Sequence, residues 1–210
     1  MTNSRPVDSL TSLTLTDGYD VVKRINPLAQ ATGGHFSEQY IVKKEKKEYF
    51  LKAFDFSSAF HTRDPVQEIH NMTKAFIAER DILEKCKNRK LSKVSLPVAS
   101  GSIQVPGFVG GGALVYYLIF EKAKTDVRSQ LNNLNNIDMA WCFRSFHSAA
   151  IGIQQLHISR VAHQDLKPSN ILIFESEEER ISDLGRASDS VIESANDDLS
   201  MPGDMGYAPL

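Results

Sequence analysis

The sequence reads as an α+β protein with its strands concentrated in the first half and helices prominent in the rest. Short apolar and β-branched segments recur at 19–25, 39–42, 48–54, 96–103 and 114–120, separated by charged or glycine-bearing turns. Between them, residues 64–87 place apolar side chains three and four positions apart, the period of a helix with one buried face. Later in the chain a second helical stretch leads into His163-Gln164-Asp165-Leu166-Lys167-Pro168-Ser169-Asn170, a loop that gathers a carboxylate, an amine and an amide.

At 210 residues, 41% hydrophobic and 24% charged, the chain can bury a sizeable core in one or two domains. A net charge of −2 lacks the basic excess of a nucleic-acid binder, so no nucleic-acid partner is expected. No apolar run reaches the roughly 18 residues of a membrane span, and the N-terminus lacks the segments of a secretory signal. A cytoplasmic protein is therefore expected. Cys86 and Cys142 fall on apolar stripes and read as buried free thiols.

In chain order, residues 1–16 are rich in Ser and Thr and read as a mobile arm or a short extra strand. The strand at 19–25 is followed by a long connection containing Gly33-Gly34-His35-Phe36-Ser37. Small residues there let backbone N–H groups approach phosphate oxygens. In the segment Glu48-Tyr49-Phe50-Leu51-Lys52-Ala53-Phe54, Lys52 sits among apolar neighbours. Asp64-Pro65-Val66-Gln67 is a helix start with an acidic cap, proline in the first turn and a glutamine placed to complete a capping box. Ile69, Met72, Phe76, Leu83 and Cys86 define that helix's buried face, and Glu79 lies on the same stripe. A buried carboxylate without a counter-charge costs roughly 3–5 kcal/mol, which makes Lys52 its expected partner.

The strands at 96–103 and 114–120 are joined by the glycine-rich turn 106–112. Asp126 opens a short helix, and an Asn-rich linker follows. Asp138 caps a longer helix to about residue 157, with an expected inner face of Cys142, Phe146, Ala149, Ile153 and Leu156. His157 and His163 are expected to bond to backbone rather than to metal. After Asn170, two short strands separated by the acidic turn Ser176-Glu177-Glu178-Glu179 bring Asp183 back beside Asn170.

The loop 163–170, with Asp183-Leu184-Gly185 after it, resembles the catalytic loop and magnesium-binding motif of eukaryotic-type protein kinases, with Gln164 and Leu184 as departures from the pattern. The resemblance covers residues 19–210. It implies a bilobal protein-kinase-like fold: an arm (1–18), a five-stranded antiparallel N-lobe with helix C (19–122), and an incomplete, mainly helical C-lobe (123–210). It further implies a Ser/Thr protein kinase using ATP and Mg²⁺, with a protein hydroxyl as acceptor. Asp165 would accept the hydroxyl proton, Lys167 would steady the transferring phosphoryl group, and Asn170 and Asp183 would hold metal.

In the first lobe the same resemblance implies that Lys52, paired with Glu79, contacts the α- and β-phosphates, and that Gly33, Gly34 and Phe36 belong to a nucleotide-covering loop. Of the three glycine positions of that loop, here Thr32, Gly34 and Ser37, one is glycine. Phe120 takes the gatekeeper position, and the backbones of Glu121 and Ala123 face adenine. Gln164 in place of arginine implies little dependence on phosphorylation at Ser188, Ser190, Ser194 or Ser200. Gly203-Asp204-Met205-Gly206-Tyr207-Ala208-Pro209 resembles the close of an activation segment without its final glutamate. The helices that follow in the family pattern are absent, implying impaired transfer and a partner covering the incomplete C-lobe. Alternatives are an aminoglycoside-kinase-like phosphotransferase, against which Lys167 and Ala208-Pro209 argue, and a pseudokinase or interaction module, against which the complete residue set argues.

Overall fold

A computed structural model describes residues 5–25, 37–133, 138–194, 197 and 203–207. The chain divides into two units, Met1–Thr73 with Pro97–Lys122, and Lys74–Leu96 with Ala123–Leu210.

In the first unit, β1 (Asp20–Ile25), β2 (Ser37–Lys44), β3 (Lys47–Phe54), β4 (Pro97–Gln104) and β5 (Leu114–Glu121) form one antiparallel sheet in the order β1-β2-β3-β5-β4. The β2–β3 hairpin turns at Glu45, whose φ of 57° is left-handed. Alternation buries Tyr40, Val42, Leu51, Ala53, Tyr117 and Ile119 in one core. Gly101 is needed there, because a Cβ would lie 2.6 Å from the Tyr117 hydroxyl.

Residues 5–16 are not a loose arm. Val7, Leu10 and Leu15 are fully buried in that core, and Tyr40 donates its hydroxyl to Val7 O. Arg5 and Arg24 share the carboxylates of Asp8 and Glu38, and Arg5 also reaches the buried Asp55. The polar composition misled the sequence reading, since three well-spaced aliphatics are enough to dock the segment.

Helix α1 (Pro65–Asn88) starts as expected, with Asp64 Oδ1 accepting from Gln67 N at 3.1 Å. The capping box is not closed, because Gln67 turns its amide forward to Asn71. Met72, Phe76, Ile82, Leu83 and Cys86 are buried, and so is Glu79.

In the second unit, β6 (Thr125–Asp126) leads to α2 (Val127–Asn132), capped by Asp126 through Ser129 N. Helix α3 (Met139–Ile158) is capped by Asp138, which accepts from Trp141 N at 2.6 Å. The loop that follows contains β7 (Val161–Ala162), and after it come β8 (Ile171–Ile173), β9 (Glu179–Ile181) and β10 (Ser188–Asp189). These make two small sheets, β6-β8-β9 and β10-β7. The residues after α1 bond along β9 through Ile181 N to Lys93 O and Ser95 N to Ile181 O.

The expected inner face of α3 holds at Leu156, which is fully buried, and fails at Phe146. Phe146 is 76% exposed, Cys142, Ala149 and Ile153 are half-buried, and the buried positions are Ser145, Gly152 and Leu156. The helix lies so close to β9 that a Cβ on Gly152 would sit 2.6 Å from Ile181 Cδ1 and 3.1 Å from Lys93 O. Small residues, not the largest apolar ones, mark this contact.

Glu179 faces this interface. It is buried, with Ser145, Lys93 and Arg144 around it, and its Oε2 has no hydrogen-bond partner among the described residues. Burial pushes its carboxyl above the usual carboxylate range. A raised folded-state value stabilises the fold below the unfolded value near 4.5 and loses that stabilisation as pH rises through the folded value. Glu179→Gln is therefore expected to raise the melting temperature at pH 7 by about 2–4 °C. The gain should vanish below pH ~4.5. A pH-independent difference would show that the charge is not what is being removed.

Candidate active site

The second unit carries the loop between β7 and β8. Asp165, Lys167 and Asn170 are each at least 94% buried, an unusual density of polar groups for a surface loop. Lys167 Nζ lies 2.9 Å from Asp165 Oδ2, and Asn170 Nδ2 donates to the Asp165 carbonyl at 2.8 Å. Pro168 opens the 3₁₀ turn Pro168–Asn170, which folds the amide back over the loop. One N–H of its amide is bonded to the loop, and the amide oxygen of Asn170 remains an acceptor.

His163 fixes the loop from beneath. Its Nδ1 accepts from Asp165 N at 3.3 Å and its Nε2 donates to Ser182 O at 2.9 Å, an arrangement that requires the neutral ring. Burial accordingly pushes the imidazole below its ordinary value. The expectation that this histidine bonds to backbone holds. His157 is exposed.

The β8–β9 hairpin returns the chain as expected, with Ile171 opposite Ile181. Ser182 N and Oγ both donate to Asn170 O, at 2.8 and 3.1 Å, so Asp183 leaves the hairpin beside Asn170. Asp183 is exposed and has a φ of 60°, and Gln164 has a φ of 64°. Two non-glycine residues in the left-handed region flank the loop, each costing of order 1–3 kcal/mol. Gln164 Nε2 donates to Ser188 Oγ at 3.0 Å, a neutral contact where the family pattern has arginine.

One contact escaped the sequence reading. Asp204 N donates to Asp165 Oδ1 at 2.8 Å, and Asp204 Oδ2 lies 3.9 Å from Lys167 Nζ. Gly203 allows the approach, since a Cβ there would be 2.1 Å from Gln164 O. Tyr207 anchors the far end of this segment through Arg128 on α2. The glycine before an acid was the only sequence signal, and it does not say what the segment docks against.

In the first unit, Lys52 is half-buried on β3, between Gln39 and Leu118 in register, with Nζ 5.5 Å from the Phe54 ring centroid. Glu79, which belongs to the second unit, is 6% exposed, so it does not face solvent. Phe120 packs against Phe50 at 6.3 Å between centroids. Glu121 and Lys122 pair with Lys47 and Glu48. Ala123, where the second unit resumes, is half-buried. Gly33, Gly34 and Phe36 lie outside the described residues, as do Ala208 and Pro209.

A five-stranded antiparallel sheet and a helix, carried in one chain with a loop that buries an Asp–Lys pair beside an Asn, is the architecture of the protein kinase class. A sequence profile of the protein kinase domain matches residues 33–209, and the chain belongs to that family. It is 25% identical over 173 residues to a probable cell division protein kinase of Encephalitozoon cuniculi, covering 81% of this chain and 48% of that protein. It is 36% identical over 72 residues to the CTD kinase subunit alpha of Saccharomyces cerevisiae, covering 34% of this chain and 14% of that protein. A probable serine/threonine-protein kinase of Dictyostelium discoideum, ifkB, is 30% identical over 78 residues, covering 37% and 6%. The chain spans about half the length of the Encephalitozoon relative and less of the other two. Among the described residues no helix is long and apolar enough to cross a membrane.

Proposed function

We propose that the chain carries the phosphoryl-transfer machinery of an ATP- and magnesium-dependent Ser/Thr protein kinase, with Asp165 as the base for the acceptor hydroxyl. The observation that carries this reading is the buried pair Asp165–Lys167 at 2.9 Å, with Asn170 bonded to the same loop. A carboxylate held by Lys167 and by the Asp204 N–H, on a loop braced by Asn170, is positioned rather than merely solvated. Lys167 Nζ and Asp204 N each occupy one lone pair of a different oxygen, so each oxygen retains another for an incoming hydroxyl proton.

The donors suit magnesium. Asn170 and Asp183 offer a neutral amide oxygen and a carboxylate at adjoining ends of one hairpin, the hard, sparse oxygen set that a largely water-bound Mg²⁺ takes up. Bound there, the ion would neutralise charge on the phosphate oxygens.

This chain's own residues do the rest. Lys167, carrying a charge in a buried setting, acts on the transferring phosphoryl group, and Lys52 serves the α- and β-phosphates with Glu79 as its orienting carboxylate. The backbones of Glu121 and Ala123 read adenine, and Gly33, Gly34 and Phe36 belong to the covering loop. The acceptor is a Ser or Thr hydroxyl on a protein.

Mg·ATP is expected to raise the melting temperature, since a ligand at 100 times its Kd stabilises by about 2.7 kcal/mol. Lys52→Ala and Asp183→Ala should each shrink that shift. A shift insensitive to both would mean that the nucleotide site is wrongly assigned. Radiolabel transfer offered protein and aminoglycoside acceptors in parallel tests the acceptor class.

A further inference from the structure

A groove of about 620 Å³ lies in the second unit, away from Asp165, where the end of α1, the end of α3 and the residues after β10 meet. Each wall is tied to another. Lys85 of α1 pairs with Asp189, Arg89 Nη1 donates to Ile158 O at 3.3 Å, and Ser190 N donates to Arg160 O at 3.4 Å. The turn carrying Arg160 is set by its left-handed φ of 61° and by Arg160 N bonding to His157 O at 2.8 Å. The groove is therefore formed in advance rather than assembled on binding.

Its charge is unbalanced. Asp189, the one acid lining it, has no exposed side-chain surface and is consumed by Lys85 and by the N–H groups of Val191 and Ile192. Arg89 and Arg160 are exposed, and neither has an ion-pair partner among the described residues. Beside these two guanidinium groups stand two large aliphatic side chains left in water, Ile158 at 71% and Val191 at 79% exposure. Isolated exposed aliphatics are ordinary, but two on the walls of one groove with two uncompensated arginines form a mixed apolar and cationic surface. Arginine forks bind carboxylates bidentately, and arginine is enriched at protein interfaces.

We propose that this groove is a docking site for an acidic protein segment in which aliphatic side chains alternate with carboxylates, the aliphatics seating on Ile158 and Val191 and the carboxylates on Arg89 and Arg160. It needs none of the catalytic residues and stands whether or not the transfer assignment does.

The test uses the full 210-residue chain and a short fluorescein-labelled peptide alternating glutamate with leucine, read by anisotropy. Saturable binding is expected. Arg89→Glu and Arg160→Asn, the latter tolerant of left-handed backbone, should each weaken it about tenfold, and Val191→Ser several-fold, with melting temperatures unchanged. Raising salt from about 0.05 to about 0.5 M should weaken it further. The proposal is overturned if the peptide does not bind or if the arginine substitutions leave its affinity unchanged. It is equally overturned if a glutamate–serine peptide binds as well, or if an RNA oligomer binds through the same arginines more tightly than the peptide does.

Discussion

Asp165→Asn is expected to lower phosphoryl transfer to a protein acceptor by about 10²–10⁴-fold, the usual contribution of a positioned proton acceptor. The amide keeps the shape of the side chain and leaves an oxygen for Asp204 N, so the docked segment 203–207 has reason to stay in place. What is lost is the ability to take a proton and one counter-charge of Lys167, a cation 6% exposed that also lies 3.9 Å from Asp204 Oδ2. Some destabilisation therefore accompanies the substitution, because removing negative charge beside a buried cation is costly. The two effects separate experimentally. The Mg·ATP melting shift, proposed to rest on Lys52 and Asp183, should persist while transfer falls. Retention of transfer near the unsubstituted rate would remove Asp165 from the role of base.

Gly203→Ala should impair transfer almost as severely without touching a titratable group. A methyl group 2.1 Å from Gln164 O and 3.3 Å from the Asp165 Cα cannot be accommodated by a side-chain rotation, because both neighbours are backbone. Either the loop or the 203–207 segment must shift, and the bond from Asp204 N to Asp165 Oδ1 is the first casualty. A misplacement of about 1 Å can cost about 10²-fold in a reaction that relies on positioning. Nucleotide affinity should be little changed, since no phosphate or metal contact is assigned to this segment. A Gly203→Ala protein with full transfer activity would show that the segment's docking is incidental.

Much of the site was legible because its chemistry is local. Asp165, Lys167 and Asn170 lie within one turn-length of each other, so their residue types and spacing already state that a carboxylate, an amine and an amide share a loop. Asp183 was recoverable because a hairpin has simple geometry: strand, acidic turn and strand return the chain to where it began, and Ile171 does pair with Ile181. Glu79 was readable for a similar reason, its helical phase placing it on the apolar stripe where it is indeed buried.

Where the reading failed, contact distance rather than polarity decided the outcome. On α3 the large apolar residues suggested the inner face, yet Phe146 is in water and Gly152 is at the interface, because β9 approaches too closely for a side chain. The N-terminal segment was judged by its Ser and Thr content, while Val7, Leu10 and Leu15 bury themselves in the sheet.

The sequence by itself determined the elements and the residues that share the loop 163–170, since these follow from side-chain patterns within one or two turns of chain. Only the tertiary structure decided that Asp204 closes on Asp165, that α3 presents its smallest residues to β9, and that Arg89 and Arg160 stand together beside Ile158 and Val191. Those arrangements join residues tens of positions apart through close backbone approaches and unsatisfied charges, and neither leaves a periodic mark in the order of amino acids.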